Sequence, residues 1–292
     1  MKILVTGSGG QLARALRAGW TGHELHCPPE SLLDLASRDA IQDMVDALKP
    51  EVLVNTGAFT QVDQCESEPD LAMRVNGTAV GWLAEACERH GALLIQISTD
   101  YVFDGTASRP YQEEDPTNPL SVYGRSKLEG ERQAALCARH LIVRTGWLYD
   151  AWGRNFYNTM LNAAAQGRNL RVVDDQRGAP TSCRALARQL KAAAEQGWQG
   201  LVNATCQGET TWHGFANAIF AAKGIAADLH PCLTADYPTP ARRPAYSVLD
   251  GTFRQSLGPD LMPHWTDALR EVVDDPRGGP ILSTGIMKGQ LP

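Results

Sequence analysis

Short apolar runs alternate with amphipathic stretches over the first half of the chain. Lys2-Ile3-Leu4-Val5-Thr6 is a β-branched and aliphatic run, and it is followed by Gly7-Ser8-Gly9-Gly10 and by helix-spaced Leu12, Ala15 and Leu16 closing on Gly19. Apolar runs recur at 51–55, 92–97 and 140–144, each bounded by polar or small residues. Between them, helical periodicity predicts helices over 38–48, over 71–89 with Val75, Ala79, Trp82, Leu83 and Ala86 on one side, and from Tyr123 through Leu128, Glu129, Gln133 and Leu136. Residues 61–69 read as a polar connection. Strand and helix in strict alternation predict an α/β fold with a doubly wound parallel sheet.

Beyond residue 150 the pattern is less regular. Helices are expected over 155–167, 184–196 and 212–223, strands over 170–173 and 201–204, a turn at 178–181 and a proline-rich loop over 237–243. The expected organisation is a first domain over 1–150, rejoined by segments from about 168–200, and a smaller α/β substrate-binding lobe over 151–270. The stretch 274–292, rich in Pro and Gly with little apolar pattern, is expected to pack weakly.

The first strand carries the first chemistry. Gly7 and Gly10 in Gly-x-x-Gly-x-x-Ala let the backbone turn and approach a phosphate, Ala13 lets the helix lie close to the sheet, and the helix amino terminus faces a pyrophosphate. This loop opens the chain between a strand and a helix, the context of a Rossmann dinucleotide site. An NAD-type site offers an acid about 20 residues further on, yet Leu25-His26-Cys27-Pro28 stands there, so both NADPH and NADH remain open as cofactor. Asp34-Leu35 is a candidate contact to the adenine side, and the small residues after 51–55, running into Ala58-Phe59-Thr60, let a nicotinamide or ribose lie against the backbone.

Tyr123 and Lys127 stand four positions apart on one predicted helix, hence on one face. A free phenol titrates near ~10, and a neighbouring ammonium favours its phenolate, so the pair suits proton donation to, or removal from, an alcohol oxygen, with Tyr123 as the acid and Lys127 as its tuner. Thr99 ends the apolar run before it, at the carboxyl end of a strand where open α/β sheets place ligands. Taken without the glycine loop, a surface helix with a chance Tyr and Lys reads the same. Trp147, just past 140–144, is a core aromatic or a plate for a base or sugar. Arg243, between Pro238, Pro240 and Pro244, is a candidate bidentate clamp for a diphosphate, with a surface salt bridge as the alternative.

With 292 residues, 43% hydrophobic, and a net charge of −6, the chain carries no basic footprint for nucleic acid. No apolar run is long enough to span a bilayer, and the chain opens on a strand and a glycine loop, so a cytoplasmic protein is expected. Seven scattered cysteines without a CxxC pair read as buried thiols, not as metal ligands.

Together, Gly-x-x-Gly-Gln-Leu at 7–12, Val62-Asp63-x-x-Glu66-x-Glu68-Pro69, Ser98-Thr99-Asp100-Tyr101-Val102-Phe103-x-Gly105, Tyr123-Gly124-x-x-Lys127, Arg144-Thr145-x-Trp147, Asp175-Gln176-x-Gly178-Ala179-Pro180-Thr181 and Tyr237-Pro238-Thr239-x-Ala241-x-Arg243-Pro244 resemble the dTDP-4-dehydrorhamnose reductase family of extended short-chain dehydrogenase/reductases. The resemblance implies NAD(P)H-dependent reduction of the 4-keto group of dTDP-4-dehydro-β-L-rhamnose to dTDP-L-rhamnose, for cell-surface polysaccharide. It implies Tyr123 as proton donor, Lys127 as ribose ligand and tuner, and Thr99 as third member of the triad. It implies cofactor contacts at Gly10, Gln11, Leu12, Asp34, Leu35, Ala58, Phe59 and Thr60, and substrate contacts at Thr99, Asp100 and Trp147. Some family members dimerise through magnesium held by glutamates. Those positions find no match here, so no metal is expected, and a homodimer is admitted as one state of the chain. Two alternatives are a reductase or epimerase of another nucleotide sugar, and a non-catalytic NADP-binding subunit like the regulatory subunit of methionine adenosyltransferase, against which the Thr99, Tyr123 and Lys127 set argues.

Overall fold

The computed structural model describes residues 1–275. In chain order its elements are β1 (Lys2–Thr6), α1 (Gln11–Gly19), β2 (Glu24–His26), α2 (Arg38–Leu48), β3 (Val52–Asn55), α3 (Val62–Ser67), α4 (Pro69–Met73), a π-helical turn (Arg74–Thr78), α5 (Ala79–His90), β4 (Leu93–Thr99), α6 (Val122–Ala134), β5 (His140–Thr145) and β6 (Leu148–Tyr149). There follow α7 (Phe156–Ala165), β7 (Leu170–Val173), β8 (Arg177–Gly178), β9 (Thr181–Ser182), α8 (Cys183–Gln196), β10 (Gly200–Asn203), β11 (Thr210–Thr211), α9 (Trp212–Lys223), β12 (Leu229–Cys232), α10 (Thr252–Leu257) and α11 (Trp265–Val273).

Six strands form one sheet in the order β10-β5-β4-β3-β1-β2, every neighbouring pair parallel. The doubly wound α/β fold expected from the alternation is therefore the fold observed. β3 and β4 are buried along their whole length, because helices cover both faces: Leu12, Leu16, Leu186 and Leu190 pack on one side, Ile41, Val45, Leu83 and Cys87 on the other. The chain leaves β1 toward β2 and returns on the other side to β3. That reversal opens a crevice at the strands' carboxyl ends, where such sheets bind ligands.

Four local features differ from the sequence reading. The single helix expected over 71–89 is α4, a π turn and α5 in series, and 61–69 holds the helix α3. The helix expected through Leu136 stops at Ala134, leaving Leu136 73% exposed. β7, within the 168–200 stretch expected to rejoin the sheet, pairs with β12 instead. Its burial alternates along the strand, as suits a two-stranded ladder and not a sheet interior. α8 and β10 make the return, α8 against α1 and β10 beside β5.

The second half builds its own apolar cluster around Tyr149, Tyr157, Phe215, Ile219, Trp265 and Leu269. Of the stretch 274–292, Asp275 is buried and ion-paired with Arg184, and residues 276–292 lie outside the described residues. All seven cysteines are free thiols. Among the described residues no helix is long and apolar enough to cross a membrane, and no group of three or more His, Cys, Asp or Glu is arranged to hold a metal ion.

Candidate active site

The glycine loop sits at the crevice because its geometry admits nothing larger. Gly7 has φ +65°, and a Cβ there would come 2.5 Å from the Gly57 Cα, so β1 and β3 can approach only through two glycines. The Gly10 N–H donates to the Gly7 carbonyl at 2.8 Å, and α1 begins with no side-chain cap on its amino terminus. Its first-turn N–H groups are left for a ligand. The Gln11 amide donates to the Leu148 carbonyl at 3.1 Å and accepts from Asn155 at 3.0 Å, which ties the loop to the lobe.

Asp34 accepts from the Ala36 N–H at 2.8 Å, and Leu35 is buried beside Gly57. At the end of β2, His26 pairs with Glu24 at 2.7 Å. Across the crevice, Phe59 is fixed by a residue that sequence reasoning missed. Asn76, in the π turn, accepts from the Phe59 N–H at 2.8 Å and donates to the Phe59 carbonyl and the Ser126 hydroxyl, both at 3.0 Å. A fully buried Asn on an otherwise apolar helix face, between Val75 and Ala79, was the available signal. π turns of this kind recur at functional sites.

α6 carries Tyr123 and Lys127 one turn apart, its amino terminus fixed by the Ser121 hydroxyl, which accepts from the Gly124 N–H at 3.1 Å. Thr99 ends β4 with its hydroxyl bonded to Asp100 at 3.1 Å and within reach of the Tyr123 phenol. Lys127 is 3% exposed and donates to the Ile97 carbonyl at 2.6 Å. Burial lowers its pKa to about 8, with Glu131 pulling the other way. The sequence led us to expect a Tyr123 phenol held below its ordinary value. Instead burial pushes it up, the Thr99 hydrogen bond opposes, and the Asp100 charge adds to the rise. The reversal follows from desolvation of the phenol.

Asp100 is buried, its pKa raised to about 6 by burial against hydrogen bonds from Ser247 and Thr99. Trp147 has φ 51° and stacks on Trp212. Arg243 is neither exposed nor unpartnered. Its guanidinium grips Asp63 with both nitrogens, at 3.1 and 3.0 Å, and donates to Thr239 and the Ala241 carbonyl. The pair is 10% and 13% exposed, a half-hidden latch and not the surface salt bridge weighed from sequence. Tyr101 lies near Arg243 and meets Tyr123 edge-on with ring centroids 5.8 Å apart.

One cavity of about 1000 Å³ joins these pieces. Gly7, Gly10, Gln11, Leu12, Asp34, Leu35, Ala58, Phe59, Thr60, Thr99, Asp100, Tyr123, Lys127, Trp147 and Arg243 all line it, so every residue singled out from the sequence is brought together. Trp212 and Phe156 line it too and were not anticipated, and so do Tyr101 and Gln176, which had a place in the motifs but no assigned role. The cavity runs from an uncapped helix and paired glycines to the phenol and ammonium, and its size and lining fit a dinucleotide with a second ligand beside it.

The family model described as "RmlD substrate binding domain" matches residues 1–277. The chain is 41% identical to a dTDP-4-dehydrorhamnose reductase of Burkholderia thailandensis, over 94% of this chain and 99% of that protein. Among solved structures it is similar to a dTDP-4-dehydrorhamnose reductase of Clostridium acetobutylicum, with a TM-score of 0.91 and 41% identity over 94% of this chain and 99% of the other. It is also similar to a Bacillus anthracis dTDP-4-dehydrorhamnose reductase solved in complex with NADP, with a TM-score of 0.90 and 31% identity over 93% and 99%.

Proposed function

We propose, from the premise that this chain belongs to the RmlD substrate binding domain family of dTDP-4-dehydrorhamnose reductases, that it reduces the 4-keto group of dTDP-4-dehydro-β-L-rhamnose to the alcohol of dTDP-L-rhamnose with NAD(P)H. It is an NAD(P)H-dependent oxidoreductase of the extended short-chain dehydrogenase/reductase type. The observation that carries the reading is the single cavity in which Thr99, Tyr123 and Lys127 face the glycine loop.

The dihydronicotinamide, when bound, supplies a hydride to the carbonyl carbon. Tyr123 gives its phenolic proton to the oxygen, and the bond order of the C=O falls by one as the new C–H and O–H bonds form. A donor has to be protonated, and burial keeps Tyr123 so across the neutral range. Thr99, whose hydroxyl lies within reach of the phenol, orients it. Lys127, charged below about pH 8, stabilises the phenolate that donation leaves. Asp100 and Trp147 hold the sugar. Arg243 contacts the diphosphate with the part of its guanidinium that Asp63 leaves over, and Asp63 fixes its direction. Gly7, Gly10, Gln11 and Leu12 take the cofactor's pyrophosphate, Asp34 and Leu35 its adenosine end, and residues 58–60 its nicotinamide half. With no acid at the end of β2 to select a ribose hydroxyl, both NADH and NADPH serve. A nucleotide-sugar substrate goes with a cytoplasmic location.

The test is NAD(P)H absorbance with a panel of 4-keto nucleotide sugars, both cofactors in parallel. Oxidation with dTDP-4-dehydro-β-L-rhamnose above all others is expected. Turnover with a different sugar alone would reassign the substrate, and cofactor binding without any turnover would make the chain a regulatory binder.

A further inference from the structure

Trp147 stands at the carboxyl end of the sheet in a conformation that its own backbone disfavours. Its φ of 51° lies in the left-handed region, where a bulky side chain is an outlier. Such outliers persist only where the surroundings over-determine them, and they collect at functional sites. The surroundings here are specific. A Cβ at Gly178 would come 2.4 Å from the Trp147 indole, so only glycine fits beside it. Trp212, the first residue of α9, lies against Trp147 with ring centroids 3.5 Å and planes 4° apart.

Aromatic pairs left to themselves prefer offset or edge-on arrangements with wider centroid spacing. A stack this close is therefore imposed by the chain that carries the two rings. β8 and β11 pair antiparallel with Thr210 opposite Gly178, and Trp212 follows directly. The Thr211 hydroxyl accepts from the Gly214 N–H at 2.9 Å and fixes the start of α9. Phe156 of α7 meets the Trp212 ring with centroids 4.7 Å apart. The lobe thus fixes Trp212, and Trp212 with Gly178 fixes a residue just past the carboxyl end of β5.

We propose that Trp212 is a positioning residue for the sugar: it holds Trp147 in its left-handed conformation and so sets the wall on which the hexose of the nucleotide sugar rests. This rests on the reading of Trp147 as a sugar contact. A hexose ring offers an apolar C–H face to a flat indole, and the tilt of that indole decides how the 4-keto carbon lies toward Tyr123. Trp212 therefore acts on substrate through Trp147, and its effect has to disappear when the Trp147 ring is absent.

A double-mutant cycle reads this directly. Trp212→Leu keeps apolar volume and removes the stack, and Trp212→Phe keeps a ring. Trp212→Leu is expected to raise the sugar-nucleotide KM about fivefold and leave NAD(P)H affinity within about twofold, a size ordinary for coupled neighbours. Trp212→Phe should recover most of that loss. In a Trp147→Ala background the Trp212→Leu effect should shrink to less than about twofold. An equal rise in both backgrounds overturns the proposal, since Trp212 would then act directly or through the fold, and so does an unchanged KM in Trp212→Leu. A distinct result, Trp147→Ala with a normal sugar KM, would sink the reading of Trp147 itself and this inference with it.

Discussion

Gly130 gives a quantitative test of how the catalytic helix is seated. It lies in α6, one turn beyond Lys127 and buried, and a Cβ there would come 2.2 Å from the Asn76 carbonyl oxygen in the π turn. Two opposing effects act on Gly130→Ala. Replacing glycine inside a helix gains about 1 kcal/mol in propensity. Against this, the new methyl meets backbone, which cannot swing aside, and overpacking of this kind costs about 1–3 kcal/mol. Moving the π turn also strains the Asn76 bonds to Phe59 and Ser126, each worth about 1 kcal/mol. The losses win, and a net destabilisation of about 2 kcal/mol is expected, a fall of roughly 3 °C in Tm for a chain of this size. Because Phe59 lines the cavity and is assigned above to the nicotinamide half, NAD(P)H affinity should fall as well. Gly81 in α5 is the control: its Cβ would meet only the far end of the Gln133 side chain, at 2.5 Å, which can turn away. Gly81→Ala is therefore expected to be neutral or stabilising by up to about 1 kcal/mol. Thermal melts and cofactor titrations of both variants decide it. A Gly130→Ala protein as stable as Gly81→Ala, with unchanged cofactor affinity, would refute the contact between α6 and the π turn.

Tyr123→Phe removes the proton donor and keeps the ring, so turnover should drop by at least about 10²-fold with little change in cofactor Kd; near-normal turnover would end the proposed mechanism. Lys127 has an ordinary pKa of 10.5 and a folded one of about 8, so between those values the unfolded chain binds more protons and stability rises with pH. That rise, followed by melts from pH 7 to 10, should be missing in Lys127→Met, and identical slopes would show that the ammonium is not buried in solution. Arg243→Ala leaves Asp63 half-hidden without its counter-charge and should cost about 3–5 kcal/mol. Arg243→Lys keeps the charge and loses the fork, so a sugar-nucleotide KM raised about tenfold at near-normal cofactor affinity is expected, and an unchanged KM would assign the diphosphate elsewhere.

What the sequence made legible was local. β1, β3 and β4 could be read because a strand covered on both faces has to be apolar throughout. The glycine loop, Thr99, Tyr123 and Lys127 could be read because each function depends on residues a few positions apart on one element. What stayed hidden depends on pairings across the chain. The two-residue ladders β6–β9 and β8–β11 carry no periodicity of their own, yet they bring Trp212 and Gly178 to Trp147. Asp63 and Arg243 each had a place in a motif, but nothing local to either announced that they hold one another.

The same distinction accounts for the reversed shift at Tyr123. Spacing along a helix fixes which groups can be neighbours, and from Tyr123 and Lys127 alone an ammonium beside a phenol argues for a lowered phenol pKa. Proton affinity also depends on how much water remains and on where each charge is already engaged. Both are set by distant segments: β4 supplies the Ile97 carbonyl that takes the Lys127 proton donor, and the buried Asp100 carboxyl follows directly after Thr99. The outcome suits the direction of the reaction. A reductase needs its phenol loaded with a proton before the carbonyl arrives, and burial loads it. In the mechanism proposed above, donation would create a phenolate in a site with little water to stabilise it, one helical turn from the Lys127 ammonium.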